Sequence, residues 1–117
     1  MNKANEGCTV QIQIFCSGSF EGFHCWPAAP EEVAFLRDRH RHRFHWKVWW
    51  NVTHHDRDKE FILLQRAVAK SISEQQANAI VETWSYESWC QWLLDVHDAC
   101  RVEVNEDLEN GSVVTRI

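Results

Sequence analysis

The chain has 117 residues, with 12 Lys and Arg against 17 Asp and Glu, a formal net charge of −5. That balance argues against general nucleic-acid binding, and the length is that of one domain, 1–117. A hydrophobic content of 44% supports a globular protein with a real core, and no run of about 18 apolar residues is present to form a transmembrane helix. The first residues lack the basic and apolar regions of a signal peptide. The five cysteines, Cys8, Cys16, Cys25, Cys90 and Cys100, are odd in number and have no framework spacing, so reduced thiols and a cytoplasmic location are expected. Seven tryptophans are many for this length and point to packing and to an interface.

Residues 1–7 are polar and read as a frayed tail. Residues 8–16 alternate, with Val10, Ile12, Ile14 and Cys16 opposite Thr9, Gln11 and Gln13, which predicts a first strand. It meets Ser17-Gly18-Ser19, where the glycine suggests a bulge or bend, and continues from Phe20 to Trp26. Pro27 and Pro30 close it, and Glu31–Asp38 has room for one or two helical turns.

Residues 39–53 form the central strand. One face reads His40, His42, Phe44, Trp46, Val48, Trp50, Val52; the other reads Arg39, Arg41, Arg43, His45, Lys47, Trp49, Asn51. Residues i and i+2 on one strand face lie about 7 Å apart, so His40 and His42 point the same way as the buried aromatics. Two such imidazoles can share a metal; the plain alternative is a polar strand mouth. The run Arg37, Arg39, Arg41, Arg43 reads as a solvated face, or as cations for phosphates.

His54-His55-Asp56-Arg57-Asp58 is a polar break. A helix over about Lys59–Ser73 is predicted by Phe61, Leu64, Val68 and Ile72, with Asp58 as its N-cap. The link Glu74–Trp84 has no firm assignment. A second helix over about Tyr86–His97, capped by Ser85, has the stripe Trp89, Cys90, Leu93, Val96. Arg101–Asp107 is a third strand with Val102, Val104 and Glu106 on one face. Asn110-Gly111 signals a hairpin, and Ser112–Ile117 returns. The order is β-β-α-α-β-β, an α+β fold.

This order, with Phe20-Glu21-Gly22-Phe23-His24, His40-Arg41-His42, Glu60-Phe61, Ser85-Tyr86-Glu87 and Val102-Glu103-Val104-Asn105-Glu106, resembles the 6-pyruvoyl-tetrahydropterin synthase and 6-carboxytetrahydropterin synthase family. The resemblance spans residues 8–117. It implies the T-fold (tunnelling fold): an antiparallel four-stranded sheet with two helices on one face. It implies a Zn2+ held by His24, His40 and His42, with the open fourth position of a catalytic zinc site. It implies Glu106, with Glu87, at a pterin- or purine-like ligand. A carboxylate on the buried face needs donors, and paired ring N–H groups would supply them. An arginine of the same chain is the alternative partner. The family further implies a ring of subunits, a trimer or a hexamer.

The departures bear on chemistry. The family's catalytic cysteine, four residues before the first histidine of His-x-His, is Leu36 here, and Cys25 should face away from His24. The family's Asp-His pair between the helices has no counterpart in Glu74–Trp84. Replacement groups are sought among Cys25, His45, His54, His55, Asp56 and Glu87. Three readings stand: a zinc-dependent lyase or synthase of pterin or 7-deazaguanine-type metabolism, a binding protein that holds a purine-like ligand without turnover, and an assembly protein that uses its tryptophan surface.

Overall fold

Alternation along the central strand sets the architecture. In the computed structural model, which describes residues 9–117, that segment is strand β2, His40–Val52. The frayed tail expected at 1–7 lies outside the described residues, as does Cys8. Strand β1, Ile12–His24, pairs antiparallel with β2 without interruption, from Ile12 opposite Val52 to His24 opposite His40. The bulge expected at Ser17-Gly18-Ser19 is absent. Gly18 serves packing instead: a Cβ there would fall 2.5 Å from Trp46 Cζ2, so only glycine leaves room for the indole. Residues 31–37 make a short 3-10 segment before β2.

Helix α1 is Phe61–Gln75, two residues later than predicted at each end. Its N-cap is Glu60, whose carboxylate accepts from Leu63 N–H at 2.7 Å; Asp58 is drawn to the Thr53 N–H and hydroxyl at 2.9 and 3.1 Å. Phe61 is half-exposed, so the buried stripe rests on Val68 and Ile72. The link after it holds a 3-10 segment at Ala79–Thr83, capped by Asn78. Helix α2, Tyr86–Val96, has the expected Ser85 cap, with Oγ accepting from Ser88 N–H at 3.1 Å. Its stripe includes Leu94, while Val96 is exposed.

Strands β3, Arg101–Glu106, and β4, Asn110–Thr115, complete an antiparallel sheet of order β1-β2-β3-β4. The turn falls at 107–109 and not at Asn110-Gly111. Asp107 and Leu108 both take left-handed φ, 53° and 63°, and Glu109 N–H donates to Glu106 C=O at 2.9 Å. Gly111 sits within β4, where a Cβ would run into the Val104 carbonyl oxygen.

Both helices cover one sheet face. Phe44, Trp46, Val48, Trp50, Val102 and Val104 pack there against Val68, Ile72, Trp89, Cys90 and Leu93, all buried. The helix layer also clasps the outer edge of β1. The Gln65 and Gln76 side-chain amides donate to the Ser17 and Glu21 carbonyls at 2.6 and 2.9 Å, and Cys25 N–H donates to Glu82 C=O at 2.8 Å. On the uncovered face, Trp49 lies beside Phe15 and between the Lys47 and Arg101 cations, 5.0 and 4.7 Å from its ring. Among the described residues no helix is long and apolar enough to cross a membrane, and Cys16, Cys25, Cys90 and Cys100 are free thiols.

Candidate metal centre

The β1–β2 register places His24 directly opposite His40, and the strand period places His42 beside them on the helix-covered face. The ring centroids are 5.4 Å apart for His24 and His40 and 4.8 Å for His40 and His42, both edge-to-face. Two of the imidazoles are tied on one side by their own chain. His40 Nδ1 lies 2.7 Å from the Asp38 carbonyl oxygen, and His42 Nδ1 lies 2.7 Å from Asp107 Oδ2. His24 Nδ1 and His40 Nε2 are buried with no hydrogen-bond partner. A buried lone pair without a donor is costly and calls for an occupant.

His42 Nε2 instead faces Glu106 Oε2 at 3.3 Å. Among the described residues, no three His, Cys, Asp or Glu side chains form a ready-made metal site. Burial, then the charges of neighbouring His40 and His42, hold the His24 pKa below the usual imidazole value; the Glu106 carboxylate works the other way.

Glu106 pairs with no arginine. Its Oε2 accepts from the Tyr86 hydroxyl at 2.8 Å and faces His42, so both contacts fall on one oxygen. Burial, then this hydrogen bond, pushes the Tyr86 phenol far above its ordinary range. Asp107 is held below the usual carboxylate range by its hydrogen bond with His42 and by the Arg43 N–H, which donates to Oδ1 at 3.1 Å. Neither Tyr86 nor Asp107 was picked out from the sequence. Their signals were slight: an aromatic at the first position of a helix, and an acid directly after the candidate anchor.

The remaining candidates lie apart from this cluster. Glu87 accepts from the Ser112 hydroxyl on β4. His45 opposes Ser19 and Asn105 on the uncovered face of the sheet, away from the three histidines. His54, His55 and Asp56 follow the far end of β2, about 40 Å along the strand from His40. There Asp56 N–H donates to His54 Nδ1 at 3.1 Å, and Arg57 pairs with Asp56 at 2.9 Å, in an exposed turn. His54, His55 and Asp56 therefore stand too far off to act at the histidine cluster of the same chain. Cys25 is half-buried beyond the end of β1. Leu36 offers only its backbone, accepting from Trp26 N–H at 2.7 Å. Burial raises the thiols of Cys16 and Cys90 to about 11 and about 12, which leaves them protonated and unreactive at neutral pH.

The arginine run is engaged with acids of its own chain. Arg37 meets Glu31 at 3.2 Å, Arg39 meets Glu82 at 2.6 Å, and Arg41 and Arg43 meet Glu21 at 3.8 and 3.0 Å. This favours the paired, solvated face over a row of cations held free for phosphates. No protein-family model matches the chain, and no curated protein matches it.

Proposed function

We propose that this chain is a zinc-binding protein of the T-fold type that holds a pterin- or guanine-like heterocycle beside Glu106 and does not run the synthase reaction of the family it resembles. The observation that carries this reading is the pair of orphaned buried nitrogens, His24 Nδ1 and His40 Nε2, on residues that stand opposite one another on paired strands. The His40 ring is tied at its other nitrogen, as metal-ligating histidines are. His42 completes a nitrogen donor set suited to zinc once its Nε2 exchanges the Glu106 carboxylate for the metal.

A zinc ion there would supply a Lewis acid for a ligand oxygen. The chain itself does the rest. Glu106 offers a half-buried carboxylate to ring N–H donors, and Tyr86 holds that carboxylate by its Oε2. Asp38 and Asp107 fix the imidazole planes. What this reading leaves out is the family's nucleophilic and proton-transfer chemistry: Leu36 has no titratable atom, and His54, His55 and Asp56 stand far along β2. We therefore favour ligand binding over turnover. The sheet has two outer strands, β1 and β4, whose edges would be joined in a ring of three subunits or two stacked rings. Phe15 and Val113, 52% and 46% exposed on those strands, would be covered there.

Native mass spectrometry with metal analysis tests the whole reading. It is expected to give about one zinc per chain, lost in the His40→Ala/His42→Ala variant, and an assembly of three or six chains. Full zinc content in that variant would sink the metal assignment, and a monomer at micromolar concentration the ring. Calorimetry with dihydroneopterin triphosphate and related purines should detect binding, with product formation near background.

A further inference from the structure

Among side chains, Asp107 makes the shortest contact to any of the three histidines. Its Oδ2 lies 2.7 Å from His42 Nδ1, while the other ring nitrogen, Nε2, lies 3.3 Å from Glu106 Oε2. The carboxylate is itself fixed. Oδ1 accepts from Arg43 N–H at 3.1 Å, and Asp107 N–H donates to Arg43 C=O at 2.9 Å. The residue therefore bridges the end of β3 to the main chain of β2 beside the residue it orients. Its φ of 53° is a left-handed conformation that aspartate accepts more readily than most residues.

We propose that Asp107 is a positioning residue that fixes the tautomer and ring plane of His42, keeping the proton on Nδ1 and leaving the Nε2 lone pair for the metal site. A neutral imidazole carries one N–H, and two carboxylates compete for it. The shorter, charge-assisted contact wins, so the proton sits on Nδ1 facing Asp107. Without Asp107 the proton moves to Nε2 to satisfy Glu106. A protonated Nε2 cannot ligate a metal. Control of the tautomer belongs to the metal-free protein; its consequence for zinc rests on the metal reading above.

The test uses two variants, Asp107→Gly and Asp107→Asn. Glycine adopts φ of 53° without strain, so it removes the carboxylate while sparing the turn. Asparagine keeps the shape of the side chain, but its single acceptor oxygen is claimed by Arg43 N–H, so its NH2 faces His42 Nδ1 and makes that nitrogen the acceptor. Nitrogen NMR of the His42 ring in metal-free protein at pH 8 reads the tautomer directly. The wild type is expected to show the Nδ1–H form, and both Asp107→Gly and Asp107→Asn a shift to Nε2–H. Zinc affinity, read by chelator competition, is expected to fall about 10–100-fold in both variants. An unchanged His42 tautomer in Asp107→Gly would overturn the proposal, whether or not zinc binds. If the wild type binds zinc, an equal affinity in Asp107→Gly would overturn it as well. A tautomer switch in a protein that binds no zinc would uphold Asp107 as the orienting group and remove the metal reading instead.

Discussion

The Tyr86 hydroxyl donates to Glu106 Oε2 at 2.8 Å, the same oxygen that faces His42 Nε2 at 3.3 Å. A carboxylate that grips two adjacent N–H donors uses both oxygens, so this tyrosine competes with any guanine-like edge for one of them. Replacing Tyr86 with Phe keeps the ring against Phe44 and His24 and removes the competing donor. Tyr86→Phe is expected to bind a heterocycle with paired N–H donors several-fold more tightly in calorimetry. Glu106→Gln is expected to weaken it by roughly 1.5–3 kcal/mol, the scale of a hydrogen bond to a charged group. Weaker binding by Tyr86→Phe would mean that the hydroxyl contacts the ligand itself.

Zinc should stabilise the fold, because the folded strands gather nitrogens that the unfolded chain disperses. At a free zinc concentration one hundred times Kd, the gain is about 2.7 kcal/mol. Thermal melts of chelator-treated protein with and without zinc should separate by several degrees. His24→Ala, which removes an orphaned donor, is expected to close that gap. A separation that survives the substitution would place the metal elsewhere.

His97, at the end of α2, provides an acid-sensitive contact distant from the histidine cluster. Ser71 Oγ donates to Val68 C=O at 2.7 Å, so it accepts from His97 Nε2–H at 2.8 Å and holds the ring in the interior. Burial lowers the His97 pKa below its ordinary value. Between the folded and unfolded values the unfolded chain binds more protons. The contribution is therefore complete above about pH 6.5 and is lost as pH falls through the lowered folded value. Urea midpoints between pH 7.5 and 5 should fall less steeply for His97→Gln than for wild type. Parallel slopes would dismiss His97 as a contributor.

Gly18→Ala should destabilise the protein by about 1–3 kcal/mol in urea titration. The added methyl would lie 2.5 Å from the indole of Trp46, which is 4% exposed and enclosed in the core. A neutral result would show that the indole shifts without loss.

The sheet and both helices were legible because their signals are periodic: the alternation from His40 to Val52 survives folding unchanged, and it carries His40 and His42 with it. The failures occur where a signal is local and packing decides. Gly18 reads as a bend by composition, but its absent side chain accommodates Trp46 in an unbroken register. Asp58 has the chemistry of a cap, but Thr53 claims its carboxylate, and the helix starts later with Glu60 as its cap. Asn110-Gly111 has turn chemistry, yet the two left-handed residues are Asp107 and Leu108. At the candidate site the histidines were visible, whereas Asp107 and Tyr86 reach it through pairings that no spacing rule encodes.

The amides of Gln65 and Gln76 have a consequence for how this protein meets other strands. An outer strand ordinarily invites a neighbour anywhere along its length, and sliding by two residues costs little when the pairing groups are all alike. Here the carbonyls of Ser17 and Glu21 are already spoken for, and the main chain at Cys25 is held by Glu82. The longest run of β1 backbone left open to an incoming strand therefore lies before Ser17. Two glutamines thus act as a ruler: they interrupt the adhesive edge from Ser17 onward and leave its longest window at one end.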